Sequence, residues 1–266
     1  MSADPLADLQ RSQPGVALRI DWVGVSHLRQ PLLVLDRSHA KQETVAELTL
    51  AVDLDASARG AHLSRFLDIL AEAENELTTR TAPSLLAEMR RRLGAQAARV
   101  VAHFPYFVEK RAPVTGARGL LDIATTFTFT DRGNGAEFLM RATVPVTTLC
   151  PCSRAVSDYG AHNQRCDVKI WADCAADGDA IVWIEDLVEL VEAHGSAPIY
   201  PALKRPDERH VTMQAYDNPA FVEDVVRGVA AELDCVPGVQ RFAVEASSDE
   251  SIHNHRAFAR IGAPLD

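Results

Sequence analysis

The chain has 266 residues, 47% of them hydrophobic and 24% charged, a balance that excludes disordered, collagen-like and fibrous classes. Its 27 Lys plus Arg against 37 Asp plus Glu give a formal charge of −10. That charge excludes a general affinity for nucleic-acid backbone but leaves room for a local basic pocket that takes a small anion. Residues 1–15 are polar, carry two prolines and lack an apolar targeting core, so a flexible N-terminus is expected. Two strand-like runs follow, Ala17–Asp36 and Thr44–Leu54; in the second, Leu48, Leu50, Val52 and Leu54 share one face. Helical spacing over His62–Glu74 places Leu63, Phe66, Leu67 and Leu70 on one stripe, and Pro83–Leu93 reads as a helix that ends at Gly94. Strands return at Arg99–Lys110 and Leu120–Thr130.

The second half repeats the order. Phe138, Met140, Ala142, Val144 and Val146 alternate as a strand, as do Cys166, Val168, Ile170, Ala172 and Cys174. A helix is predicted over Trp183–Ala193 with Ile184, Leu187, Val188 and Val191 inward. Another is predicted to open at Asn218-Pro219, a capping residue followed by proline, with Val222, Val225, Val226, Val229 and Leu233 on its buried face. Strands at Val239–Ala246 and His255–Ile261 close the chain. Strand, strand, helix, helix, strand, strand, twice over, predicts an α+β protein with antiparallel sheets and helices on one face. Sheets of that kind leave edges, and closing them into a barrel by oligomerisation is one way to cover them. The modules are expected at residues 16–134 and 135–266. No run approaches the ~20 apolar residues of a membrane helix.

The densest chemistry lies in the connection Leu149–Arg165, between two alternating strands. Cys150 and His162 stand 162 − 150 = 12 residues apart, a spacing suited to two metal ligands at the ends of one connection. Five cysteines, an odd and clustered set, argue against a disulfide scaffold and fit a reducing, cytoplasmic compartment. Cys166, Cys174 and Cys235 read as structural, whereas Cys150 and Cys152 flank a proline among polar residues. The segment Leu203–His210 reads as a charged loop. It is either a solvated turn or a source of a carboxylate ligand, Glu208, with Lys204 and Arg205 receiving an anion. Glu250–His255 is a polar hairpin loop or a functional one. Glu223 either favours a helix dipole or points into a cleft. A Cys/His/Glu set leaves one coordination position open for water and suits zinc, while its carboxylate also admits iron, manganese or cobalt.

The run Cys150-Pro-Cys-Ser-Arg through Ser157-Asp-Tyr-Gly-Ala-His162-Asn-Gln-Arg closely resembles the signature of the type IB GTP cyclohydrolase family. The resemblance extends to Pro198-Ile-Tyr, Leu203-Lys-Arg-Pro-Asp-Glu208, Asn218-Pro, Phe221-Val-Glu223-Asp and Glu250-Ser-Ile-His253-Asn-His. In the first half His62-Leu-Ser-Arg65-Phe is similar to a family segment that usually has methionine where Leu63 stands. The resemblance implies two tunnelling-fold modules per subunit and a homotetramer with interfacial active sites. It implies conversion of GTP and water to 7,8-dihydroneopterin triphosphate and formate, the first step of tetrahydrofolate synthesis. It also implies one divalent metal, zinc, iron or manganese, held by Cys150, His162 and Glu208, with metal-bound hydroxide attacking C8 of guanine. By the same carry-over, Glu223 anchors the guanine ring and His253 moves protons. Lys204, Arg205 and Arg65 are candidates for the triphosphate. Rival readings are a nitrile reductase of the same fold, with Cys150 as nucleophile, a relative that forms a cyclic phosphate product, and a metal-binding protein without catalysis.

Overall fold

In the computed structural model, residue 10 and residues 12–175 and 181–265 are described, so most of the expected N-terminal stretch 1–15 lies outside the described residues. The elements in chain order are β1 (Ile20–Asp36), β2 (Ala40–Leu54), α1 (Leu63–Glu72), α2 (Ala82–Leu93), β3 (Ala98–Arg111), β4 (Arg118–Asp131) and β5 (Ala136–Leu149). They continue with α3 (Pro151–Val156), β6 (Asn163–Cys174), α4 (Ile184–His194), β7 (Ala197–Pro198), α5 (Arg205–Asp217), α6 (Val222–Leu233), β8 (Val239–Asp249) and β9 (Arg256–Ile261). Packing groups them into two compact units: residues 1–103 with 127–138, and residues 104–126 with 139–266. This division cuts across β3, β4 and β5, whereas the sequence reading separates two contiguous modules at residues 134 and 135.

In the first unit β1 pairs antiparallel with β2, and β2 with β3, leaving β1 as an edge strand. Alternation drives the pairing. Leu48, Leu50 and Val52 of β2 and Val100 and Ala102 of β3 are buried on one face, so a slip of one residue would expose them. Gly24 sits where β1 presses on β2: a Cβ there would fall 1.8 Å from the Leu50 carbonyl oxygen. The ladder shifts register nearby, between Val25 and Leu28. On α1 the buried stripe is Phe66, Ile69 and Leu70. Leu63 and Leu67, expected inward, are about half exposed because they fall to one side of that stripe. Helix α2 ends as expected, with Gly94 in the left-handed conformation at φ 67°.

In the second unit β6 pairs antiparallel with β8, β8 with β9, and the two-residue β7 with β5; β9 is the edge. The predicted strand faces are buried in full, from Phe138 to Val146 on β5 and from Cys166 to Cys174 on β6. The same holds for Ile184, Leu187, Val188 and Val191 on α4, and for the valines and Leu233 on α6. Burial pushes the Cys166 and Cys174 thiols up to about 12, so both behave as small hydrophobes. Cys235, also expected to be structural, is exposed.

Two local expectations change. The charged segment 203–210 is not a loop: from Arg205 it forms the start of the 13-residue α5, with Pro206 in the first turn where its missing N–H costs no hydrogen bond. Asn218-Pro219 does not open the following helix. Asn218 is the C-cap of α5, the Ala220 N–H donates to the Leu149 carbonyl, and α6 starts only at Val222, after Phe221. A capping residue before proline also suits the exit of a preceding helix.

Candidate functional site

Cys150 and His162 are brought together by the ends of one connection in the second unit. The Cys150 N–H donates to the His162 carbonyl at 3.1 Å, and the His162 N–H donates to Ser153 Oγ at 3.3 Å. Cys150 is the N-cap of α3, and its Sγ accepts from the Ser153 N–H at 3.4 Å. Pro151 follows at the first helical position. The neighbouring strand end is tied down as well, since the Leu149 N–H donates to Ser196 Oγ at 2.9 Å. Cys150 is half-buried, whereas Cys152 is exposed.

The imidazole of His162 is held by groups that the sequence reading did not single out. Its Nδ1 lies 2.8 Å from Gln164 Oε1. The Gln164 amide N–H₂ donates to Glu250 Oε1 and to Thr148 Oγ1, both at 3.4 Å. Thr148 in turn shares a buried hydrogen bond with Ser248 at 3.1 Å. Glu250 Oε2 is itself 3.9 Å from His162 Nδ1, and both side chains are largely buried. Alternation offered one signal: His162 lies two residues before Gln164, just ahead of the strand on which Gln164 sits.

His253 follows on the turn after Glu250. Its N–H donates to the Glu250 carbonyl, and its ring stacks on His255 with centroids 5.0 Å apart. The backbone bond from Ala220 to Leu149 brings the approach to α6 to the end of β5, next to Cys150, and Glu223 lies in the first turn of α6. Glu223 is exposed.

Glu208, Lys204 and Arg205 belong to the N-terminal end of α5. A residue missed by sequence reasoning fixes that end. Asp207 is fully buried and accepts from the Lys204 N–H at 2.9 Å, from the Val114 and Thr115 N–H groups at 2.9 and 2.8 Å, and from Thr115 Oγ1 at 2.6 Å. Burial works against its charge. The Thr115 hydroxyl and the surrounding N–H groups outweigh that effect and hold the carboxyl well below the usual carboxylate range. The one local hint in the sequence is Pro206 followed by two acidic residues, a pattern that also suits a turn. A buried pair supports the approach to α5: Lys110 Nζ donates to Glu192 and lies 5.4 Å from the centroid of the Tyr200 ring.

The opposite end of α5 is the one that meets α3. Arg154 stacks over Tyr216 at 4.5 Å and donates to the Asp217 carbonyl. Glu208 precedes Tyr216 by eight residues, about 12 Å along the helix axis. Among the described residues, no three His, Cys, Asp or Glu side chains gather closely enough to hold one ion. Cys150 and His162 are thus neighbours, and Glu208 is not gathered to them within the chain. Arg65 belongs to the first unit, where it donates to the Arg92 carbonyl and lines a cleft of about 440 Å³. Other basic groups of that cleft are already matched, Arg19 by Asp53 and Arg92 by Glu72 and Glu88.

Comparison with known proteins follows the motifs. The family described as "GCHY-1: Type I GTP cyclohydrolase folE2" matches residues 6–259. The chain is 46% identical to GTP cyclohydrolase FolE2 of Magnetococcus marinus, over 97% of this chain and 96% of the relative. It is 48% identical to GTP cyclohydrolase FolE2 of Methylococcus capsulatus, over 96% and 91% respectively. Among solved structures, urate oxidase from Bacillus sp. TB-90 is similar with a TM-score of 0.53 at 8% identity, covering 92% of this chain and 100% of that one. That likeness is one of fold alone, and the fold is the tunnelling fold. With its signature matched over almost the full length, the chain belongs to the type I GTP cyclohydrolase FolE2 family.

Proposed function

We propose that this protein is a metal-dependent GTP cyclohydrolase, converting GTP and water to 7,8-dihydroneopterin triphosphate and formate, and acting in the cytoplasm as a homotetramer. The observation that carries the reading is the juxtaposition of Cys150 and His162 with the Nδ1 side of the imidazole already engaged. An Nδ1–H donating to Gln164 leaves Nε2 with its lone pair free for a metal. The sulfur of Cys150 and that nitrogen suit zinc, iron or manganese to different degrees, and Glu208 supplies the harder third ligand. When bound, such an ion activates water near neutral pH for hydrolytic opening of the imidazole ring at C8.

The chain's own residues do the rest. Glu223 accepts two parallel hydrogen bonds from the guanine edge, so it fixes the purine with C8 facing Cys150 and His162. His253 carries protons as the ring opens and formate leaves. Lys204, Arg205 and Arg65 hold the triphosphate as charged donors. The separation of Glu208 from Cys150 along α5 supports a site completed between copies. So do the exposed apolar side chains on the segments that carry the site, Val156 at the end of α3 and Tyr159 after it, Phe221 before α6, and Ile252 beside His253.

The decisive experiment strips the protein with a chelator and returns GTP with each divalent metal in turn, reading pterin fluorescence and formate. Formate that depends on metal and is abolished in folded Cys150→Ala is the expected result. No formate with any metal, or normal turnover by that variant, would remove the assignment.

A further inference from the structure

Amide side chains carry a donor and an acceptor on either side of one carbon, and their direction is set by what surrounds them. At Gln164 the surroundings are asymmetric. One side faces the Glu250 carboxylate, at 3.4 Å, which only accepts. The amide must therefore turn its N–H₂ toward Glu250 and Thr148, and its carbonyl toward His162 Nδ1, 2.8 Å away. A carbonyl at that place accepts only from a protonated Nδ1. The proton of the neutral ring is then fixed on Nδ1, and Nε2 is left as a lone-pair donor.

We infer that Gln164 and Glu250 form a positioning relay, in which the carboxylate of Glu250 orients the Gln164 amide and the amide sets the tautomer and ring orientation of His162 for metal binding. Neither residue touches the ion; both act through His162. The strand geometry makes the relay stiff. Gln164 lies on β6 and Glu250 directly follows β8, its paired neighbour, where Cys166 stands opposite Ser248. Thr148 and Ser248, hydrogen-bonded to each other, close the far side. The 3.9 Å approach of Glu250 Oε2 to His162 Nδ1 shows why the amide is needed: the carboxylate is just beyond direct hydrogen-bond reach of the ring.

This inference rests on the assignment of His162 as a ligand, and its test separates the two. The readouts are Co(II) affinity, from competition with a chromophoric chelator, and the sulfur-to-cobalt charge-transfer absorption. They are measured on the chelator-stripped full-length protein and on variants with unchanged thermal midpoint and assembly state. His162→Ala should lose tight binding. Gln164→Leu, which keeps every ligand and the Glu250 charge, should weaken binding by about 10- to 100-fold. The exchange Gln164→Glu with Glu250→Gln restores an acceptor beside the imidazole and a donor behind it, and should recover most of the affinity. Should His162→Ala lose the metal while Gln164→Leu binds like the parent, the relay is wrong and the ligand assignment stands. An exchanged pair as weak as Gln164→Leu also overturns the relay. If His162→Ala binds like the parent protein, the ligand assignment and the relay fall together.

Discussion

Lys110 and Glu192 are the sharpest place to test how the second unit holds its α5 segment. Both side chains are largely buried, at 13% and 8% exposure, and they form an ion pair beside the Tyr200 ring. The other carboxylate oxygen of Glu192 is buried without a hydrogen-bond partner. Burial already raises the Glu192 carboxyl above its ordinary value, and the Lys110 hydrogen bond and charge counter that rise. Lys110→Met keeps the aliphatic stem and removes the charge, leaving a carboxylate uncompensated in the interior. Breaking a buried pair from one side costs about 3–5 kcal/mol, which for a unit of this size lowers the melting midpoint by ~6–20 °C.

The sign of the pH dependence follows. In the variant Glu192 has a folded-state pKa still further above the unfolded one, so the folded state holds its proton more tightly. The deficit is therefore smallest at acidic pH, where the carboxyl is neutral in both states. It grows by about 1.4 kcal/mol per pH unit once the pH passes the ordinary carboxyl value, and it levels off above the raised one. Urea unfolding of both proteins across acidic to neutral pH measures this directly. Adding Glu192→Gln should recover most of the stability, because no buried charge then remains. A loss below about 1 kcal/mol at neutral pH, or a deficit independent of pH, would refute the account of an uncompensated buried charge.

Glu223→Ala should weaken GTP binding by about 10- to 100-fold, the worth of a paired charged hydrogen bond, and should leave GTP and its 2-deamino analogue bound alike; equilibrium titration of both nucleotides checks this. Asp207→Asn should free the N-terminal end of α5, raising KM for GTP. Because the folded Asp207 carboxyl is held below its ordinary range, its stabilisation is present at neutral pH and is lost as pH falls toward that depressed value. Acid titrations of stability should therefore converge for parent and variant. Gly24→Ala puts a methyl group against the Leu50 carbonyl and should cost ~1–3 kcal/mol by forcing β1 away from β2, read by chemical unfolding.

The strands were legible because their alternation is strict: every second residue from Phe138 to Val146 is buried, and a period of two has few competing explanations. The α4 and α6 faces were legible for the same reason at a period of 3.6. The start of α5 was hidden because Arg205–Arg209 carries charge all round. Its helix is held by the caps at Asp207 and by Thr115, a residue 92 positions away, rather than by a stripe. Leu63 and Leu67 misled because apolar residues at helical spacing need not all face the same neighbour. In the site, Cys150 and His162 were visible as a motif, and their contact follows from a connection that returns on itself. Gln164 and Glu250 were not visible as partners, because their meeting depends on the register of β6 against β8, which no local pattern encodes.

The distribution of thiols gives the protein a built-in gauge of ligand occupancy. Cys166 and Cys174 stay protonated inside the sheet, while Cys152 and Cys235 stand in solvent and can be replaced by serine without disturbing a packed neighbour. That leaves Cys150 as a single addressable sulfur at the proposed metal site. The rate at which an alkylating reagent consumes it, with and without metal or nucleotide, would then count filled sites one chain at a time.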